Sequence, residues 1–486
     1  MGNPAMFITT GDQYRHSLRG RNMEIYAGGE RIHDVTTHPL TIPGVNSIAL
    51  LYDLAQEPEL DALMNARSHL TGAPIHRYCH LPQDSDDLLK KIQASRKAAE
   101  ISPISGLASW GVDLLSALSV VTHTMQQELG TPYYERFLQY LRQYQAQNLW
   151  SAVGVTDVKG DRHLRPSEQE DRDLYVHVVE RTEAGIVVRG AKAHTTGAPV
   201  AHELIIVPTR ALRASDQDYA VAFAVSPETP GLKMVCRAGS LAQEQSLDAP
   251  MSGRFSLVET LTIFEDVFVP WERVFMCGEW PYAGRLVELF ATYHRHTYAG
   301  AKAAMLDLLI GAAALAAEYN GVADARHIQD KLADLIQASA LIYAAGVAAA
   351  LESTTAGPGT AVPDPVKANA GKNFSGVKFY DALRVVHDIA GGLVVTMPGE
   401  ADYRSPLTRP YLEKYLKGAK GIPPLDRIKL FKFIRDLTAS DLGGMWMVES
   451  LHGGGSLEAE RIAMRAHYPL EHAKSLVQAL AHLTSA

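Results

Sequence analysis

Residues 174–199 read "LYVHVVERTEAGIVVRGAKAHTTGAP". "LYVHVVE" and "GIVVRGAKA" are short β-branched runs that alternate in polarity, as half-buried strands do, and "TEAG" is the turn between them. Working outward, "ELIIVPT", "YAVAFAV" and "TLTIFEDVFV" repeat that texture, so a compact β region is expected from about Trp150 to Phe275. Upstream, from about Thr10 to Leu149, "LYDLAQEPELDALM", "DDLLKKIQASRKAAE" and "DLLSALSVVTHTMQQELG" space apolar residues three and four apart, the period of a helix. Downstream, from about Tyr282, Ala- and Leu-rich helical segments run to the end, two of them parted by a loop, "STTAGPGTAVPDP". Helices, then strands, then helices is an α+β arrangement by segregation. It divides into an N-terminal helical domain (1–149), a central β domain (150–280) and a C-terminal helical bundle (281–486). No G-x-G-x-x-G follows a strand and no Walker-type loop is present, so neither a Rossmann nor a P-loop nucleotide site is expected.

At 486 residues, 47% hydrophobic and 21% charged, the composition is that of a soluble globular protein with a sizeable core. A net charge of −8 with no Lys/Arg-rich run argues against nucleic acid as a partner. "MGNPAMFITTGDQYRHSL" has no apolar core behind a basic start, so no secretory leader is expected. The uncharged run Leu335–Leu351 is too short for a membrane span and reads as a buried helix. Cys79, Cys236 and Cys277 lie far apart without paired spacing, which fits a reducing cytoplasm and makes no metal motif.

One apolar helical stretch interrupts itself with "HRHTYAGAK", His294 to Lys302. On a helix His294, Tyr298, Ala301 and Lys302 share a face. A base, a phenol and an ammonium in one stripe suit proton transfer at a substrate carbon, although a buried hydrogen-bond network would use the same residues. The small residues Ala299, Gly300 and Ala301 would let a bulky ligand lie close. "VGVTDVKGDRHLRPSEQ" (153–169) groups Thr156, Asp157, Lys159, Asp161 and Arg162 around two glycines, offering donors and cations to an anionic cofactor. Thr195 and Thr196 stand between a strand and a turn, where hydroxyls could meet a planar ring. Glu259 sits beside an apolar strand; buried, it would have a raised pKa. "MVESLHGGGS" (447–456) brings Glu449 and His452 next to a glycine run suited to close approach by a ligand.

Together these stretches resemble the flavoprotein family of 4-hydroxyphenylacetate 3-hydroxylase and 4-hydroxybutyryl-CoA dehydratase. The resemblance runs from "GDQYRHSLRGRNMEIYAGGERIHDVTTHP" through "TDVKGDRHLRPSEQ", "VVRGAKAHTTGAP" and "FEDVFVPWERVFMCGEW" to "RPYLEKYL", and is closer to the dehydratase branch. It implies an acyl-CoA-dehydrogenase-like fold, a homotetramer, and FAD between the β domain and the bundles. It assigns His294 and Tyr298 to the active-site base region beside Lys302, Glu259 to a buried glutamate, and Glu449 to a second carboxylate. Thr156, Asp157, Arg162, Thr195 and Thr196 match the flavin-contacting strand and loop. Gly391 and Gly392 match the stretch that meets FAD from a neighbouring subunit.

The dehydratase branch also holds a [4Fe–4S] cluster through three cysteines and one histidine. Here His294 matches the histidine, but Ala301, Ser105 and Ser109 stand at the matching cysteine positions. Thiolates hold such clusters, so the resemblance implies FAD with no iron–sulfur cluster and no metal ligands. The absence of an Arg-x-Pro-Asp-Tyr-like segment in "ISPISGLASWGVD" argues against 4-hydroxyphenylacetate itself as substrate. Two chemistries remain open. The first expectation is an FAD-dependent monooxygenase that uses reduced flavin, from a separate reductase, and O₂ on a small organic or acyl-CoA substrate. The second is a redox-neutral acyl-CoA Δ-isomerase in which His294 and Glu449 move protons. A non-catalytic flavin-binding paralogue is a minor third. Cytoplasmic location and no membrane contact complete the expectations.

Overall fold

The computed structural model describes residues 7–239, 241, 243 and 246–483. Its β region holds two sheets. The larger has six strands in the order Glu30–Ile32, Glu24–Ala27, Leu232–Cys236, Thr260–Pro270, Gly185–Lys192 and His177–Arg181. The smaller has four, Val274–Cys277, Val221–Val225, Glu203–Ile206 and Ser151–Gly154. The five strands marked by alternating β-branched runs all form. Glu24–Ala27 and Glu30–Ile32 are strands that the mostly helical reading of residues 1–149 did not place. This hairpin, turned by Gly28 and Gly29 at positive φ, pairs in parallel with Leu232–Cys236 and so belongs to the central sheet. Its stretches "EIYA" and "ERI" lie in no longer β-branched run and so show no period.

The helical part is built around one helix, Trp280–Tyr319, whose 40 residues span roughly 60 Å at 1.5 Å per residue. Its middle, Thr292 to Leu306, is buried. Around it pack Ser85–Ile101 and Trp110–Leu129 from the N-terminal region, and Arg326–Leu351 and Pro365–Ala390 from the C-terminal region. Backbone approach explains the small residues of "YAGAK". A Cβ on Gly300 would overlap the carbonyl oxygen of Ile92, and Ala299 meets Gly346 of the neighbouring helix. Ala299 and Gly300 therefore serve helix packing rather than ligand access.

Two further expectations change. The predicted loop 353–365 contains a hairpin, Thr354–Ala356 with Thr360–Val362. It is held down by Ala361 N–H to the Pro82 carbonyl at 2.9 Å and by the Tyr293 hydroxyl to the Ala361 carbonyl at 2.8 Å. Leu335–Leu351 lies inside the helix Arg326–Leu351 but is only partly covered: Ile336, Leu341 and Leu351 are more than half exposed. That helix, Pro103–Leu129 and Trp280–Tyr319 are long and apolar enough to cross a membrane by length and composition. The apolar window of Pro103–Leu129 is wholly buried inside the protein and most of that of Trp280–Tyr319 is too.

Candidate active site

The long helix carries the site. His294, Tyr298 and Lys302 lie one turn apart on its buried face, and the last two reach the C-terminal helix Asp441–His452. Ser440 caps that helix by accepting from Gly443 N–H at 3.3 Å, and its last turn brings Glu449 to the stripe. The Tyr298 hydroxyl donates to Glu449 Oε1, and Lys302 Nζ donates to Oε2 at 2.5 Å and to Ser450 Oγ at 2.9 Å. Burial lowers the Lys302 pKa and the Glu449 carboxylate opposes that. Burial and then Glu449 raise the Tyr298 phenol well above its ordinary value, so it is a proton donor at neutral pH.

"HGGGS" then turns back onto the helix. A Cβ on Gly453 would overlap the Tyr298 hydroxyl, one on Gly454 would lie 3.6 Å from His294 Cδ2, and one on Gly455 2.5 Å from Arg295 Nη2. The glycine run is thus shaped by the approach of this protein's own helix, not by an open ligand space. Arg295 locks it, donating to the Gly454 carbonyl at 2.8 Å and to Asn369 Oδ1 at 2.5 Å. Beneath lies a second buried pair, Lys372 with Glu460 at 3.2 Å, whose ammonium sits 4.9 Å over the Tyr298 ring.

His294 stands among Phe290, stacked at 5.5 Å, Tyr298 at 5.1 Å and Trp110 at 6.4 Å between ring centres. Its Nδ1 is 3.0 Å from Asp113 Oδ2, while its Nε2 makes no hydrogen bond among the described residues. Asp113 is fully buried and paired with Lys91 Nζ at 2.6 Å. Burial pushes its carboxyl up, but the Lys91 ammonium and the His294 hydrogen bond outweigh that and hold it at about 2. Sequence reasoning missed both residues. Asp113 was detectable as the lone charge within "WGVDLLSALSVV"; Lys91 was one lysine among several on an amphipathic helix.

The β domain supplies the opposite wall. Glu259, just before the strand Thr260–Pro270, accepts from the Thr196 hydroxyl at 2.8 and 2.9 Å. Its surface is partly open but its surroundings are dense: burial raises its carboxyl, with the Glu449 charge adding to the rise. His194 adopts positive φ and lies near Lys159 and His452, both of which lower its pKa after burial does. The loop 153–169 and the 191–199 turn therefore face the end of the helix Asp441–His452. Thr195 is fully buried and its hydroxyl has no partner. Thr156 joins the sheet margin, its carbonyl accepting from Ala193 N–H at 2.9 Å, and Arg162 is exposed. The Asp157 carboxylate is taken up by the buried Lys192 Nζ at 2.5 Å and its backbone N–H by the Thr209 hydroxyl at 2.9 Å, so neither its charge nor its amide is left for a ligand. Gly391 and Gly392 end the helix Pro365–Ala390, exposed and with open space where a Cβ would be. They make no hydrogen bond to the cluster within one chain.

At the positions matching cluster cysteines, the Ser105 hydroxyl bonds the Ser47 carbonyl and Ser102 at 2.7 Å each, and Ser109 bonds Asp113 at 3.1 Å and Thr297 at 3.0 Å. Ala301 is buried. Cys79, Cys236 and Cys277 sit elsewhere, and no group of three or more His, Cys, Asp or Glu side chains suited to a metal occurs among the described residues. An open groove of about 980 Å³ lies farther along the long helix, lined by Asn46, Arg254, Asp307, Gly311 and Phe433 among others. None of the residues singled out above lines it, so the chemistry is placed by the convergence of titratable groups and not by the groove.

Comparison with known proteins now bears on this geometry. Family models described as the N-terminal and C-terminal parts of 4-hydroxyphenylacetate 3-hydroxylase match residues 10–276 and 283–482. The chain belongs to the 4-hydroxyphenylacetate 3-hydroxylase family. A 4-hydroxybutyryl-CoA dehydratase/vinylacetyl-CoA-Delta-isomerase of Clostridium aminobutyricum is 37% identical over 98% of this chain and 99% of its own. The oxygenase component of 4-hydroxyphenylacetate 3-monooxygenase from Thermus thermophilus is 31% identical over 89% of each. Among solved structures, an oxygen-tolerant archaeal 4-hydroxybutyryl-CoA dehydratase from N. maritimus superposes with a TM-score of 0.94 at 36% identity, covering 99% of this chain and 96% of that one. A 4-hydroxyphenylacetate 3-monooxygenase oxygenase component complexed with FAD does so at 0.89 and 29%, covering 97% and 98%. Family membership and the mixed α+β fold with a helical C-terminal region stand as the sequence implied.

Proposed function

We propose that this protein is a flavin-binding, cluster-free enzyme that moves protons on an acyl thioester, converting a β,γ-unsaturated acyl-CoA to its conjugated isomer. The observation that carries this reading is the pairing of an unengaged base, His294 Nε2, with the Tyr298–Glu449–Lys302 relay one turn away. His294 would take a proton from C2, which the thioester carbonyl acidifies. The electron pair moves into the carbonyl and then out to C4, and the relay returns a proton there. One proton leaves and one arrives, with no change in oxidation state. Glu259 would close the β-domain side of the pocket. Proton transfer stands ahead of oxygenation because Tyr298 and Lys302 are both hydrogen-bonded to Glu449 one turn from the His294 ring, and because the dehydratase/isomerase relative matches over nearly the whole chain.

FAD fits this structure: the unpartnered buried Thr195 hydroxyl would meet it, with Thr156, Thr196 and Arg162 beside it, and Gly391 and Gly392 of a neighbouring subunit. When bound, the flavin supplies a planar wall beside the acyl chain, or oxygen chemistry in its reduced form. An iron–sulfur cluster does not fit. The Ser105 and Ser109 hydroxyls are engaged in hydrogen bonds, Ala301 offers a methyl group, and no thiol lies at any of the three matching positions. Self-association, as the tetramer implies, is supported by the exposed apolar face of the helix Arg326–Leu351.

The aromatic box of Phe290, Trp110 and Tyr298 around His294 favours a second reading, a reduced-FAD monooxygenase with a separate reductase acting on a planar substrate. One experiment separates the two. FAD-loaded protein is incubated under nitrogen with 3-butenoyl-CoA in D₂O, conjugation is followed by absorbance, and deuterium by mass spectrometry. Conjugation with deuterium at C4, lost in His294→Ala, supports the proposal. No conjugation, together with substrate-dependent oxygenation by reduced FAD in air, would replace it with the second reading. Stoichiometric iron in the purified protein would sink the cluster-free part of either.

A further inference from the structure

Behind His294 lies a buried group with no role in the steps above. Asp113, on the helix Trp110–Leu129, is fully buried, and donors from three elements reach its carboxylate. Lys91 Nζ approaches Oδ1 at 2.6 Å; His294 Nδ1 and Ser109 Oγ approach Oδ2 at 3.0 and 3.1 Å. The Thr297 hydroxyl lies 3.2 and 3.3 Å from the two oxygens. Lys91 also donates to the Tyr293 carbonyl at 3.1 Å, so one ammonium anchors both the carboxylate and the helix backbone next to the histidine.

We infer that Asp113 is the positioning residue of His294, fixing the imidazole as the tautomer whose Nε2 lone pair is free for substrate. The inference rests on the proton-transfer reading for its use, but not for its geometry. An ionised carboxylate can only accept hydrogen bonds, so the ring nitrogen facing it carries the hydrogen, and in a neutral ring the other nitrogen is then the base. The Lys91 pairing keeps Asp113 ionised in a place where a lone carboxyl would hold its proton. When Nε2 takes a proton from substrate, the new imidazolium lies against this carboxylate, and the group Lys91–Asp113–His294 goes from neutral to a single positive charge. Ser109 and Thr297 hold the carboxylate oxygens toward the ring.

The test is neutron diffraction from perdeuterated FAD-loaded protein, wild type and Asp113→Asn. Deuterium on Nδ1 of His294 in the wild type, moving to Nε2 when the asparagine amide faces the ring, is the expected result. Deuterium on Nε2 in the wild type overturns the inference without any activity assay. In turnover, Asp113→Asn is expected to lower kcat by about 10²–10⁴-fold with KM changed less than about threefold, and to cost nothing more once His294 is Ala. An equal loss with and without His294 would mean a merely structural role and overturn it. Should Asp113→Asn not fold, Thr297→Val, which removes a neutral bracket only, is expected to lower kcat while leaving deuterium on Nδ1. A wild type inactive on 3-butenoyl-CoA but deuterated on Nδ1 would fail the isomerase reading and leave the tautomer assignment standing.

Discussion

Replacing Gly300 by alanine sets two known effects against each other at one atom. In a helix interior alanine is better than glycine by about 1 kcal/mol. Here the added Cβ would overlap the Ile92 carbonyl oxygen and lie 3.0 Å from its carbonyl carbon and 3.2 Å from Arg96 N. All three are backbone atoms of the helix Ser85–Ile101, so no side chain can swing away and the helix itself must shift. Overpacking of this kind costs about 1–3 kcal/mol, which exceeds or cancels the propensity gain. Gly311, on the same long helix, has nothing within 4 Å of its Cβ position and supplies the control. Gly311→Ala is expected to raise Tm, and Gly300→Ala to fall below it by a difference of about 1–3 kcal/mol, a few degrees in a thermal melt of the FAD-loaded protein. Lys91 adjoins Ile92, so the shift also displaces the Lys91–Asp113 pair behind His294. Misplacement by roughly 1 Å can cost about 10²-fold in rate, so kcat is expected to fall more than stability suggests. A Gly300→Ala protein as stable as Gly311→Ala would refute the reading of this glycine as a backbone contact.

Three further outcomes follow from the same geometry. Glu449→Ala leaves the fully buried Lys302 with only Ser450, and breaking such a pair costs about 3–5 kcal/mol; Glu449→Gln should lose clearly less, and equal melting of wild type and Glu449→Ala would contradict the buried pair. Burial raises the Glu259 carboxyl above its ordinary 4.5, so the folded state holds a proton that the unfolded state releases, and stability falls as pH rises through the window above 4.5. The melting temperature of Glu259→Gln relative to wild type should therefore grow from pH 4.5 to 7, and a constant difference would remove the desolvation argument. Burial lowers His76 to about 4 and His202 and His296 to about 3, all below the ordinary 6.5. Their unfolded forms take up protons that the folded forms refuse, so stability is lost as pH falls below 6.5, by up to about 1.4 kcal/mol per pH unit for each. Melting that stays flat from pH 6.5 to 5 would show these rings to be hydrated.

Much of the fold was legible because its signals were long. Five strands of four to eleven residues carried β-branched alternation, and the helices carried their period over several turns. The hairpin Glu24–Ala27/Glu30–Ile32 was not legible, since its membership in the sheet is decided by a partner some 200 residues away in sequence. The glycines show the same limit. "YAGAK" and "HGGGS" announce close approach, but sequence cannot say whether a ligand or another helix approaches. In both cases it is the protein's own backbone and side chains. Of the site, His294, Tyr298 and Lys302 share a helix face as their spacing suggested, whereas the approach of Glu449 to Tyr298 and Lys302, and of Thr196 to Glu259, was implied by the resemblance alone, and Asp157 is diverted to Lys192, a strand residue with nothing in its neighbourhood to mark it.

The residues at the matching cysteine positions bear on more than the proposed absence of a cluster. A histidine that serves as a metal ligand needs its donating nitrogen fixed by the metal and its outer nitrogen by a second group. Without a metal, the ring needs another anchor and gains a free nitrogen. Ser109 stands at one position matched to a cluster cysteine and donates to the carboxylate that anchors His294; Thr297, one residue before Tyr298, does the same from the long helix. The hydroxyls do not imitate thiolates. They complete a shell of donors around Asp113, which on the proposed cluster-free reading gives His294 a defined tautomer and an open Nε2. On this argument, restoring a thiol with Ser109→Cys alone should not bring iron into the protein. It should instead weaken the Asp113 bracket, because a thiol is a poor donor, and so lower turnover while the iron content stays at background. Iron uptake by that single variant would mean that the site had kept its metal geometry, and that the hydroxyl network is incidental.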